Sequence, residues 1–212
     1  NCATPMTIMN TIVGYQLEDF YAKVTEKLEN DIPQEAAILQ VIKQYILESQ
    51  AVLFEGDGYS EEWKKEAERR GLPNLANTPE ALHSFITAKA RKLFNDTGVL
   101  TSRELVAHYE VMVENYILHL QIESRTLGEM MINHILPAAI RYQNDLLTNI
   151  EKMKSLGFED YTVQSNLVNE ISKNVRMIYE KVNEMTQTRR KSNELEDVEE
   201  KAKAYCYSVL PL

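Results

Sequence analysis

The chain has 212 residues, 44% of them apolar and 26% charged, with a formal net charge of -9. It is long enough to bury a core in one or two domains, and its acidic balance argues against nucleic acid as a partner, because phosphate binding needs a basic surface. Only seven Gly and six Pro occur, which disfavours a many-stranded, turn-rich sheet and favours long helices.

The opening "NCATPMTIMNTIVGYQ" carries apolar residues from the start: Ala3, Met6, Ile8, Met9, Ile12 and Val13. There is no initiator Met and no basic leader, so this stretch reads as a buried helix cut from a longer chain. Thr4-Pro5 offers a capping hydroxyl followed by a Pro suited to a first helical turn. Asp31 is expected to cap a second helix, roughly residues 33–49, with Ile38, Leu39, Ile42, Ile46 and Leu47 as its apolar stripe. Gly56 and Gly58 break the pattern in "FEGDGYSEEW". Ser60 restarts a short charged helix that stops at Gly71.

Thr78-Pro79 begins a further helix, expected to run to about Phe94 and close at "NDTG". Thr101 and Glu104 then form a capping box. A helical pattern continues from there to Gly157, with Pro137 inside it; the missing backbone donor predicts a kink near Ile135. Two stripes follow. Leu167, Ile171, Val175, Ile178, Val182 and Met185 step by four and three, and Leu195, Val198, Ala202, Tyr205 and Val209 step likewise. "TRRKSN" is expected to be the polar turn between them, with Asn193 and Glu196 as another capping box. The fold class is therefore all-α: a long kinked central helix and an antiparallel, coiled-coil-like helical hairpin, bundle-like. The residues with packing or assembly roles are Leu167, Ile171, Val175, Ile178, Val182, Leu195 and Val198.

Motifs for chemistry are sparse. His119 and Glu123 lie one helical turn apart and His108 falls near the same face, but a metal needs three or four ligands. "EALH" supplies one Glu-x-x-His motif, Glu80 and His83, where a di-iron bundle needs two. No phosphate-binding GxxxxGK[ST], no GxGxxG and no GxSxG is present. Cys2 and Cys206 lie near opposite ends without CxxC spacing, against a disulfide framework or zinc site and in favour of a reducing cytoplasm. No apolar run approaches the ~18 residues of a membrane span. Tyr59 and Trp63 flank a charged turn and are candidates for surface contact, although a Trp pinning the short helix to the body is the simpler reading. Arg189 to Lys191 is a basic helix end, too short for a nucleic-acid interface.

Several stretches resemble one family. "NCATPMTIMNTIVGYQL", "LFEGDGYSEEWKKEAERRGLPNL", "TPEAL" and the run from "LFNDTGVLTSRELVAHYEV" to "AIRYQNDLL" are similar, in the same order, to the C-terminal part of type III glutamine synthetase. The resemblance implies that residues 1–122 are closing helices of the catalytic domain with an inserted loop and helix at 54–77. Residues 123–212 would be the type III helical extension, its hairpin about 163–190 and 193–209.

The resemblance also implies a cytoplasmic bacterial parent that joins ammonium to glutamate through a γ-glutamyl phosphate. That parent would use ATP and Mg or Mn, and assemble as hexameric rings paired into a dodecamer. The family's metal, substrate and phosphate contacts lie upstream, and none maps onto a residue here. This chain is then expected to be catalytically silent, with the missing catalytic domain of the same polypeptide as its partner. Tyr59 is a positional counterpart of the tyrosine adenylylated in type I relatives, but its surroundings do not match. Two alternatives stand beside this reading: a free-standing helical interaction module, and a helical metalloenzyme using His119 and Glu123.

Overall fold

The computed structural model describes residues 3–212. Asn1 and Cys2, named above, lie outside the described residues. The described residues are all-α, without a strand, and fall into two compact units that divide within one helix, after Tyr109.

In the first unit, α1 (Ala3–Glu29) and α2 (Gln34–Glu48) pack against each other. They run antiparallel: Lys27 Nζ donates to Gln40 Oε1 at 3.2 Å, and the Tyr45 hydroxyl donates to Asp19 Oδ2. Ala37 and Val41 of α2 are completely buried. The turn between the helices corrects the expected cap. Asp31 does not cap α2, whose preceding residue is Pro33 with no side-chain capping bond. Instead Asp31 sits at φ 58 and closes α1. Its N–H reaches the Leu28 carbonyl at 3.0 Å, and the Ile32 N–H reaches that of Lys27 at 3.2 Å. This is the paired-carbonyl helix stop in which glycine is the usual left-handed residue. The cap signal misled because Asp is favoured both at helix starts and in left-handed turns.

The charged helix α3 (Glu61–Arg69) starts where Ser60 Oγ accepts the Trp63 N–H at 3.1 Å and ends at Gly71, φ 73. The helix expected over 78–94 is interrupted. α4 (Thr78–His83) starts at the expected Thr78, capped by Asn77, whose Oδ1 accepts the Glu80 N–H. A tight turn, Ser84–Ile86, follows, and α5 (Ala88–Asp96) begins anew. Thr87 is the break: its backbone is extended, and its hydroxyl accepts the Ala90 N–H at 3.3 Å while donating to the Ser84 carbonyl at 3.0 Å. A β-branched residue with a local acceptor competes well with helix continuation.

Helix α6 (Ser102–Met130) opens on the expected capping box: Glu104 Oε2 accepts the Thr101 N–H at 2.8 Å, and Thr101 Oγ1 accepts the Glu104 N–H at 3.3 Å. It passes through a single widened turn, Met131–Ile135, into α7 (Leu136–Ser155). The Leu136 N–H bonds the Met131 carbonyl, five residues back. This widened turn sits where the kink was expected, since Pro137 has no N–H to continue the ladder. α7 ends at Gly157, φ 81.

In the second unit, α8 (Thr162–Asn193) runs antiparallel to the end of α6 and to α7. Gln121 pairs with Asn193, a Cβ placed on Gly128 would touch Met185, Gln143 bonds Ser172, and Gln164 reaches Met153. The turn expected at "TRRKSN" is helical, so α8 extends through it. The cap of α9 (Val198–Ala204) is accordingly Asp197 and not Asn193: Asp197 Oδ1 accepts the Glu200 N–H at 2.7 Å. A second widened turn, Tyr205–Val209, places Tyr205, Cys206 and Val209 in the core.

Candidate functional site

His108, His119 and Glu123 are all exposed on α6. Among the described residues no three His, Cys, Asp or Glu side chains gather where they could hold a metal ion. No described helix is long and apolar enough to cross a membrane.

The charged turn is built on a ring stack. Phe54 lies on Trp63 with centroids 4.4 Å apart and planes at 30°. The Arg70 guanidinium stands 5.6 Å from the Trp63 ring, and its Nη1 donates to the Leu53 carbonyl at 2.7 Å. Glu66 ties this assembly together by accepting from Arg69 and Arg70 at 2.6 Å. Those bonds, first from Arg69 and then from Arg70, hold its carboxyl down at about 2. Trp63 is half-buried in this clamp, whereas Tyr59 is 94% exposed.

The stripe on α8 is half-buried throughout: Leu167, Ile171, Val175, Ile178 and Val182 all lie partly covered, with Met185 fully buried. Ile178 and Val182 share a small 130 Å³ hollow with Leu127, Met131 and Leu212. Leu195 and Val198 are half-buried beside α9. Periodicity did not reveal the polar bond that closes this seam, because Asn193 and Gln121 are 72 residues apart.

An exposed apolar surface lies on the first unit. Met6, Met9, Ile12, Val13 and Leu17 of α1 are exposed, each by 46% or more. Ile8 and Ile12 border a groove of about 670 Å³ whose other wall is Phe85, Leu93 and Phe94. A run of large apolar side chains left exposed on one helix is a surface suited to a packing partner. These surfaces are suited to packing.

Comparison with known proteins identifies similar chains. Residues 37–154 match the glutamine synthetase C-terminal domain family. The chain is 42% identical over its whole length to a glutamine synthetase from Bacteroides fragilis, of which it spans 30%. It is 37% identical to a glutamine synthetase from Butyrivibrio fibrisolvens over 56% of its own length and 17% of the relative's. It is 31% identical to a type-3 glutamine synthetase from Dictyostelium discoideum, over 83% of its own length and 24% of the relative's. The chain thus spans less than a third of each of these relatives. The Dictyostelium relative means that similarity alone does not assign a bacterial source.

Proposed function

The chain belongs to the glutamine synthetase family through its C-terminal domain, and from that premise we propose that it works as the C-terminal helical part of a longer glutamate–ammonia ligase. One observation carries the reading: the whole chain aligns with an enzyme more than three times its length. Residues 1–122 are read as closing helices of the catalytic domain and residues 123–212 as the type III extension. Within that polypeptide the helices brace the catalytic body and supply subunit contacts in hexameric rings, paired into a dodecamer, in the cytoplasm. The exposed apolar face of α1 supports this, since an isolated domain gains nothing by leaving it in water.

ATP and Mg or Mn serve such a ligase, but the described residues hold no donor set that fits the metals. Phosphoryl transfer depends on placed metals and positive charge around the transferring group. No step of the reaction is assigned to this chain, and our reading expects it to be silent alone.

Three measurements test the reading. The purified 212-residue chain should form no glutamine from glutamate, ammonium and ATP; turnover by this chain alone would overturn its silence. An antibody against it should detect in source cells a polypeptide several-fold heavier than 24.4 kDa. A band at 24.4 kDa would instead make it a free-standing interaction module. For the brace, Ile178→Asp with Val182→Asp should lower the melting temperature or change the particle size of the native polypeptide.

A further inference from the structure

We propose that one copy of this chain docks on another by seating the turn between α7 and α8 in the groove between α1 and α5. The turn is an apolar knob. Leu156 and Val163 are the two most exposed large aliphatic side chains among the described residues, at 75% and 68%, and Phe158 between them is exposed by 59%. The knob is also stiff. Gly157 holds φ 81, and the N–H groups of Gly157 and Phe158 close on the carbonyls of Lys154 at 3.1 Å and Met153 at 3.0 Å. Asp160 Oδ1 accepts the Thr162 N–H at 3.1 Å, and the Lys154 ammonium stands 4.7 Å from the Tyr161 ring. A turn fixed in this way loses little freedom on docking.

The groove is its counterpart. Phe94 is buried along it, with Ile8, Phe85 and Leu93 half-buried beside it, and its 670 Å³ leave room for the Leu156 and Phe158 side chains together. Its lining includes an unbalanced cation. Among the described helices, α5 alone has a cation, Lys89, and no acid in its first turn. Lys89 thereby adds to the positive end of the helix, where carboxylates are the favoured neighbours. Lys92 is held by Asp96, but Lys89 has no partner among the described residues. On the knob, Glu159 follows Phe158 and likewise has no partner among the described residues.

The occupant follows from this match. An apolar knob beside a free carboxylate meets an apolar groove beside a free ammonium, and the charge pair fixes the orientation in which they meet. The chain itself carries the fitting knob, so a second copy is the partner. Knob and groove are different surfaces, which makes the contact heterologous: each copy offers its knob to one neighbour and its groove to another, and copies join head to tail. On α1 the groove uses Ile8, Ile12 and Tyr15, which leaves Met6, Val13 and Leu17 free for a different partner. The inference does not depend on the ligase reading, and its test uses no turnover.

Sedimentation velocity of the 212-residue chain is the experiment. Reversible self-association over roughly 10–300 µM is expected, as suits a small contact. A knob variant, Leu156→Ser with Phe158→Ser, and a groove variant, Ile12→Ser with Lys89→Glu, should each weaken it by about tenfold or more. All four side chains are exposed, so both variants should keep native circular dichroism. Mixed, the two variants should pair one to one and grow no further, because one brings an intact groove and the other an intact knob. Glu159→Lys should weaken association, and Lys89→Glu added to the same chain should restore it, an exchange that a merely structural role cannot produce. A native chain that stays monomeric up to about 300 µM would overturn the proposal. So would undiminished association of the knob variant, or knob and groove variants that fail to pair when mixed.

Discussion

The Tyr205 hydroxyl donates to Asn193 Oδ1 at 2.7 Å, and Gln121 Nε2 donates to the same oxygen at 2.8 Å. Tyr205 is fully buried, so its hydroxyl depends on this acceptor. One amide thereby ties α6, the end of α8 and the last turn of the chain. Tyr205→Phe should lower unfolding free energy by about 1 kcal/mol, the net worth of a typical hydrogen bond. Asn193→Ala should cost about as much, and the double variant less than the sum of the two. Urea unfolding of the three variants measures the coupling; strict additivity would mean that the bond contributes nothing.

The clamp around Trp63 should open in acid. Glu66, held at about 2 by Arg69 and Arg70, stays ionised in the fold well below its ordinary 4.5. Its contribution is present above pH 4.5 and is lost as pH falls from there toward 2. Trp63 is the only tryptophan, so its fluorescence reports directly on the Phe54 stack and Arg70. An emission change between pH 4.5 and 2 is expected, and Glu66→Gln should show the acid spectrum already at neutral pH. Emission that is flat across that range would count against the clamp.

Asp31 holds a left-handed conformation that costs a side chain energy and glycine little. Asp31→Gly should therefore raise stability by about 0.5–1 kcal/mol, while Asp31→Val should lower it by more than that. Thermal melts of both variants decide it. A destabilised glycine variant would mean that Asp31 makes a contribution beyond its backbone geometry.

Gly14 lies inside α1, where an added Cβ would meet nothing within 4 Å. In the 212-residue chain Gly14→Ala should stabilise by about 0.8–1 kcal/mol through helix propensity alone. If α1 seats against a catalytic body in the longer polypeptide, the same substitution should lose that gain or reverse it there. Equal stabilisation in both settings would leave this side of α1 facing solvent.

How much of this was legible in the sequence depends on how far apart the interacting groups are. The Ser60 cap, the capping box of Thr101 and Glu104, the stops at Gly71 and Gly157, and the irregularity before Pro137 each involve groups within about one helical turn, where backbone sterics and local hydrogen bonds decide. Asp31 and Thr87 are just as local. Asp31 was misread as a cap, and the helix expected over 78–94 ran through Thr87, because each side chain serves two backbone conformations, and only the neighbouring helices select between them.

On the site, the sequence pointed to the α8 stripe and to Trp63, but not to the bond between Gln121 and Asn193 that closes the seam. Polar residues on separate helices carry no spacing signal, and their meeting exists only after the helices pair.

What the chain determined by itself is its all-helical class, most of its helix starts and stops, its acidic surface and its likeness to one enzyme family. Those follow from composition, from periodicity and from bonds a few residues long. Tertiary structure alone decided that α8 runs on to Asn193, that α8 lies antiparallel to α7, and that Asn193 caps no helix but accepts from Gln121 and Tyr205. It decided as well that α1 keeps an apolar face in water. The physical reason is that burial and long-range hydrogen bonds depend on which surfaces meet, and residues 72 apart have no local interaction that encodes their meeting.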